Sequence, residues 1–161
     1  KPAFDKVGTI TAGNASSIND GAAALVLASE AAVARHGLSP LARVVGCGGF
    51  AQAPEWFTTA PAEASARTLS KLGLKAQDID LWEINEAFAC VALACSRLLE
   101  IDPARVNVHG GAVALGHPIG ASGARIVVSL LSALTRLGKK RGLASICIGG
   151  GEALSLVLER P

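Results

Sequence analysis

Short apolar runs alternate with helix-like segments along this sequence, most of them closed by glycine or proline, and that alternation limits the possible folds more than any other feature. Residues 43–51, where Val44 and Val45 are followed by glycines, read as a strand. Pro61 opens a helix that ends at Gly73, because proline suits a first helical turn and glycine the residue beyond a last one. Residues 79–84 read as another strand, 86–99 as a strongly apolar helix, and 119–137 as a long helix stopped by Gly138. Strands at 143–148 and 153–158 join through Gly149, Gly150 and Gly151. Ser29 is placed to cap a helix running to Arg35 and closed by Gly37. Residues 22–28 form a continuous apolar run that suits a strand buried on both faces, although periodicity alone leaves a helix open. Strands alternating with helices predict an α/β fold, a mostly parallel sheet covered by helices.

At 161 residues the chain can enclose one sizeable core. Aromatic residues make up only 4%, so that core is built from small aliphatic side chains packed closely. Charged residues, at 17%, fall below the ~25% usual for a globular domain, which suggests a surface partly covered by another chain or domain. The net charge of +2 is weak, and the cluster Lys139-Lys140-Arg141 has no interleaved aromatics for base stacking, which argues against nucleic-acid binding. The four cysteines form no Cys-x-x-Cys pair and share no metal-ligand spacing with the three histidines. Free thiols in a reducing compartment are expected, the cytosol first, with mitochondrion and peroxisome left open. No apolar run approaches the ~18 residues of a membrane span. The sequence lacks methionine and begins at Lys1; an initiator methionine is normally removed only before a small residue. The expectation is therefore a chain cut from a longer product, or one whose amino end is not represented.

Three polar groups fall at junctions between elements. Asn85 stands where a buried strand meets a helix, His117 in a glycine-rich loop before a helix, and Cys147 at a strand end before three glycines. In open α/β sheets, ligands gather where strand carboxyl ends meet helix starts. An imidazole flanked by Gly116 and Pro118 can accept a proton near neutral pH or donate to an oxyanion. A thiol such as Cys147 acts as base or nucleophile only where its pKa is managed, and the glycine amides after it could face a carbonyl oxygen. Locally, each group has a plainer reading too: His117 and Asn85 as helix caps, Cys147 as a small core residue. Glu86 reads as a first-turn acid favoured by the helix dipole.

The motifs NEAFA (residues 85–89), GHPIG (116–120) and CIGGG (147–151), with TAGNASSINDGAA (11–23) and NVHGGAVALGHPIGASGARI (107–126), stand in one order over essentially the whole chain. In that order and spacing the sequence resembles the carboxyl-terminal half of thiolases. The resemblance implies a thiolase-like layered fold, with residues 1–39 completing the amino-terminal domain and its loop region and 40–161 forming the carboxyl-terminal domain. It implies acyl transfer through a cysteine thioester, with Claisen condensation of acetyl-CoA or thiolytic cleavage of 3-ketoacyl-CoA. Coenzyme A thioesters are substrates in such chemistry, and no resident cofactor or metal is expected. The stretch AQAPEWFTTAP (51–61) is closer to acetoacetyl-CoA thiolases than to long-chain degradative ones.

By the same resemblance, His117 matches the histidine that activates the nucleophilic cysteine and lines an oxyanion hole, and Asn85 the asparagine that holds a water there. Cys147 matches the cysteine that removes the α-proton of acetyl-CoA and returns it in cleavage. Gly149 matches a backbone donor of a second oxyanion hole. Ser16 matches a pantetheine contact and Phe88 a wall of the acyl pocket, while Phe57 occupies a pocket position and predicts a short acyl chain. The nucleophilic cysteine of thiolases belongs to a segment absent here; Cys47, Cys90 and Cys95 lie outside its motif and are read as core cysteines. The implied partner is an amino-terminal half carrying that nucleophile, in a dimer or tetramer of complete units. Glu152 departs from the uncharged residue usual after the glycines and is expected to face solvent. A ketosynthase-type relative would carry two histidines in place of Asn85-Glu86 and Cys147, and a non-catalytic assembly half would need none of the three polar groups.

Overall fold

The computed structural model describes all 161 residues. Residues 1–29 contain no helix or ladder-forming strand. Helix α1 (Glu30–His36) follows, capped by Ser29, whose side chain accepts from Ala32 N, and ended by Gly37 at φ 58°. Then come β1 (Arg43–Ala51), α2 (Ala60–Lys71), β2 (Leu81–Ile84), α3 (Ala89–Leu98), α4 (Ala112–Leu115), α5 (Ser122–Arg136), β3 (Arg141–Ile148) and β4 (Glu152–Glu159). Single 3-10 turns at Pro54–Trp56, Ala76–Asp78 and Pro103–Arg105 fill the longer connections.

The four strands form one sheet in the order β1-β4-β3-β2. Only β2 and β3 run parallel; β4 is antiparallel to both β3 and β1. The α/β layering expected from the alternation is present, but the sheet is mixed rather than mostly parallel. The cause is the triple glycine: a three-residue connection can only fold β4 back beside β3, whereas a parallel pair needs a crossover of a dozen residues or more. Gly150 and Gly151 carry φ of 97° and 92°, left-handed values that glycine adopts without a Cβ penalty.

Alternation along the strands sends side chains to two cores. Trp82, Ile84, Leu143, Cys147 and Val157 meet residues of α2 and α3 on one face, among them Leu69, Val91 and Cys95. Leu81, Ala144 and Leu158 meet Ile126, Leu130 and Leu134 of α5 on the other. Gly142 lets α5 approach β3, since a Cβ there would fall 2.6 Å from a Leu130 methyl.

Residues 22–28 differ from expectation. They form no strand, and Val26 and Leu27 are 95% and 83% exposed. A buried strand needs neighbours on its edges and faces, and this chain supplies none. Helix α3 begins three residues later than its apolar pattern suggests. The preceding segment is pinned in extended form by an Ala15–Phe88 bridge and by bonds from Ser16 N to Ala87 O (3.0 Å) and Ala89 N to Asn14 O (2.9 Å).

Candidate functional site

Residues 14–19 thread between the NEAFA segment and the His117 loop. On one side they bridge to Phe88; on the other, His117 N donates to Ser17 O at 2.9 Å. Gly116, at φ 92°, leaves room for the Asn19 carboxamide, and Gly21 leaves room for the Pro118 ring. Pro118 then sets α5 in motion: its carbonyl accepts from Ala121 N and Ser122 N at 2.8 and 2.9 Å. The loop that carries His117 is thus fixed from both sides.

Asn85 and His117, far apart in the chain, meet at 3.3 Å between Nδ2 and Nε2. Asn85 caps no helix: the residue before α3 is Phe88, and Asn85 N continues the ladder by donating to Ser145 O at 2.9 Å. His117 Nδ1 lies 2.6 Å from Ser122 Oγ, and Ser122 Oγ donates to Pro118 O at 3.0 Å. A hydroxyl has a single proton to give, so in this arrangement Nδ1 carries the ring proton and Nε2 keeps its lone pair. Burial first, and the Arg125 cation second, hold His117 below the ordinary histidine pKa. The ring is therefore a neutral proton acceptor near pH 7.

Arg125, one turn into α5, donates from Nη2 to Asn85 Oδ1 at 3.2 Å. Its Nη1 lies 3.6 Å from Oε2 of Glu83, a carboxylate almost wholly buried on β2. Burial raises the Glu83 pKa to about 7; the Arg125 attraction opposes that rise without cancelling it, and Glu86 adds to it. Sequence reading assigned no role to Glu83, Ser122 or Arg125. The available signals were spacings: Glu83 shares a strand face with Asn85, and Ser122 and Arg125 are three apart on one helix. Glu86 is a correction of another kind. It is not in the first turn of α3; its carboxylate accepts from Asn107 Nδ2 (2.9 Å) and from Val113 N at the start of α4 (3.2 Å).

Cys147 lies on the opposite face of the sheet, buried in the apolar core that Phe57 and Phe88 pack against. The two rings meet edge to face at 6.1 Å, and Phe4 closes on Phe88 at 5.7 Å. No hydrogen bond joins Cys147 to His117. What brings the two toward one end of the sheet is the parallel β2–β3 pair: β2 runs directly into Asn85, and β3 ends one residue past Cys147. Burial raises the Cys147 pKa above 9.0, so at neutral pH it is a thiol. Gly149 stands exposed in the β3–β4 turn, where an added Cβ would meet nothing. Ser16 Oγ donates to Ala87 O at 2.9 Å, keeping two lone pairs to accept with.

Of the remaining cysteines only Cys95 is a core residue, its pKa pushed up to about 12 mainly by burial. Cys47 and Cys90 are exposed, the one on an edge strand and the other in the first turn of α3. Glu152 is exposed, as expected. A cleft of about 330 Å³ opens beside the His117 loop, between Asn19, Asp20 and Gly21 on one wall and Pro118, Ile119 and Gly120 on the other. A larger cavity, about 530 Å³, lies away from these residues, between Asp80, Arg105 and Lys139. No three His, Cys, Asp or Glu side chains cluster to hold a metal, and no helix is long and apolar enough to cross a membrane.

Comparison with known proteins bears on the family and the fold. Residues 38–160 match the family model described as thiolase, C-terminal domain, and residues 1–31 match thiolase, N-terminal domain. The acetyl-CoA acetyltransferase of Escherichia coli is 53% identical over 160 residues, covering 99% of this chain and 41% of that protein. Among solved structures, the acetyl-CoA acetyltransferase of Bacillus anthracis superposes with a TM-score of 0.97 at 49% identity, covering 100% of this chain and 41% of that one. The Acat5 thiolase of Ascaris suum, solved in complex with coenzyme A, gives 0.91 at 48% identity, covering 100% of this chain and 42% of that one. The chain thus spans about two fifths of the length of the relatives it matches. With both family models matched in order and relatives above half identity along nearly every residue, this chain belongs to the thiolase family.

Proposed function

We propose that this chain supplies the acid–base and oxyanion-binding groups of an acyl-CoA C-acyltransferase. The reaction is Claisen condensation of acetyl-CoA or the reverse thiolytic cleavage of a short 3-ketoacyl-CoA, acetoacetyl-CoA preferred. The nucleophilic cysteine comes from an amino-terminal half, whose domain residues 1–39 complete, while residues 40–161 form the carboxyl-terminal domain. The contact between Asn85 and His117 carries this reading, because it leaves an unprotonated Nε2 beside an amide donor.

In cleavage, His117 Nε2 takes the proton of the nucleophilic thiol, and the thiolate adds to the 3-keto carbon. The oxyanion formed there is stabilised by backbone amides, Gly149 N among them. As the bond between C2 and C3 breaks, the acyl group stays on the nucleophile and the electron pair moves to the departing thioester as an enolate. Cys147, a thiol at rest, gives its proton to that enolate carbon. Asn85, through an ordered water, and His117 stabilise the enolate oxygen. Preorganised donors matter because the α-proton of a thioester is very weakly acidic, and losing one such donor costs ~3 kcal/mol. The thiol of coenzyme A then attacks the thioester, its proton going to the Cys147 thiolate. The nucleophilic thiolate leaves and takes back the proton held by His117, so the transfer is split into two easier steps. Ser16 is assigned to the pantetheine arm, and Phe57 and Phe88 to the end of a short acyl pocket, which favours an acetoacetyl group.

Cleavage of acetoacetyl-CoA by this chain alone, by the chain with its amino-terminal complement, and by that mixture carrying His117→Ala tests the reading. The expected activities are none, substantial, and lower by about 10²- to 10⁴-fold. Activity from the isolated chain would remove the shared-site reading, and an unimpaired variant would remove the role of His117.

A further inference from the structure

The hydrogen bonds around His117 form a directed series with a fixed beginning. A guanidinium has only protons to give, so Arg125 Nη2 turns the Asn85 amide oxygen toward itself at 3.2 Å. The amide nitrogen is thereby turned to His117 Nε2 at 3.3 Å, where it can only donate. Nε2 must then carry the lone pair and Nδ1 the proton; Nδ1–H donates to Ser122 Oγ at 2.6 Å, and the Ser122 hydroxyl donates to the Pro118 carbonyl at 3.0 Å. Removing the guanidinium frees this order: the Asn85 side chain has no other partner, and an amide turned end for end would present its oxygen to a protonated Nε2. Ser122 opposes that reversal only through its bond to the Pro118 carbonyl, which its hydroxyl gives up if it turns to donate to Nδ1.

We propose that Arg125 is a positioning residue that sets the tautomer of His117 through the Asn85 amide, keeping Nε2 unprotonated and ready to accept a proton. Arg125 touches no reacting atom in this role. Glu83 supports it as the facing counter-charge, 3.6 Å away and on the same strand face as Asn85, so the guanidinium is anchored beside the amide it orients. The inference rests on the reading of His117 as a base, but its direct readout does not depend on activity.

The test is nitrogen-15 spectroscopy of the histidine rings at pH 8, on the native particle with every polypeptide that co-purifies. The chain has three histidines, and a His117→Gln sample assigns the one in question. The wild-type ring is expected with its proton on Nδ1. Arg125→Gln, whose amide both donates and accepts, is expected to mix the tautomers and lower kcat about tenfold or more with KM little changed. Arg125→Lys, again a pure donor, is expected to restore the Nδ1–H form. Should Arg125→Gln fail to fold, Asn85→Asp takes its place: a carboxylate accepts only, so it is expected to draw the ring proton to Nε2. A wild-type ring protonated on Nε2, an unmoved Nδ1–H tautomer in Arg125→Gln, or an unmoved one in Asn85→Asp overturns the proposal. A particle without acetoacetyl-CoA cleavage would instead count against the proposed function, while the spectra still decide the tautomer.

Discussion

His117 and Cys147 are both kept uncharged, by the same cause acting on opposite kinds of group. Burial disfavours imidazolium and lowers the one pKa; it disfavours thiolate and raises the other. In the proposed assembly with an amino-terminal half, the acid limb of kcat/KM for cleavage should therefore inflect below pH 6.5, the ordinary histidine value; an inflection above it would contradict a ring held neutral beside Arg125. Glu83 gives a prediction on stability. Its folded pKa of about 7 lies above the ordinary 4.5, so between those values the folded chain holds a proton that the unfolded chain has lost. Stability falls as pH rises through that window, by on the order of 3 kcal/mol. Urea midpoints at pH 5 and pH 7.5 should show the fall in the wild type and lose it in Glu83→Gln. An equal fall in both would assign the effect to another group. Of these residues, His117, Cys147 and Asn85 were legible in the sequence because glycines, prolines and element junctions surround them. Glu83 and Arg125 read there as ordinary charges, because their burial and pairing come from packing β2 against α5.

The elements separate glycines required by sterics from glycines that are free. At Gly151 φ is 92° and an added Cβ would fall inside contact distance of the Gln52 carbonyl oxygen, so both strain and collision oppose a side chain. Gly151→Ala should cost at least about 2 kcal/mol in denaturant unfolding. Gly149→Ala, two residues earlier in the same turn, meets open space at a φ outside the left-handed region and should stay within about 0.5 kcal/mol of the wild type. Equal losses at the two positions would contradict this geometry. Elements with local signals were legible for the same kind of reason. Ser29 and Gly37 bound α1 as their chemistry suggests, and β1 spans the residues its Val-Val-Gly pattern marks. The start of α3 was not legible, because Asn14, Ala15 and Ser16 reach it from about seventy residues away. Nor was the direction of β4, where a general preference for parallel sheets in alternating folds gave way to a three-residue turn.

For the whole molecule, the residues left uncovered matter as much as the core. Ile18, Val26 and Leu27 are more than four-fifths exposed, and Leu93 and Leu98 of α3 about three-fifths. Single exposed apolar residues are ordinary, but the run from Ala22 to Ala28 offers both its side chains and a backbone without ladder partners. A segment of that kind is stable in water only when something pairs with it. The low charge content fits a surface covered by a partner such as the proposed amino-terminal half. The chain by itself should therefore bind a hydrophobic dye and self-associate on sizing. Adding its complement should abolish both, and should slow hydrogen exchange at residues 22–28 by at least an order of magnitude, since amides that enter a ladder exchange only when it opens. The exchange measurement distinguishes pairing from mere crowding of the surface. If dye binding falls while those amides stay unprotected, the complement covers some other face, and the reading of residues 1–39 as the end of its domain fails.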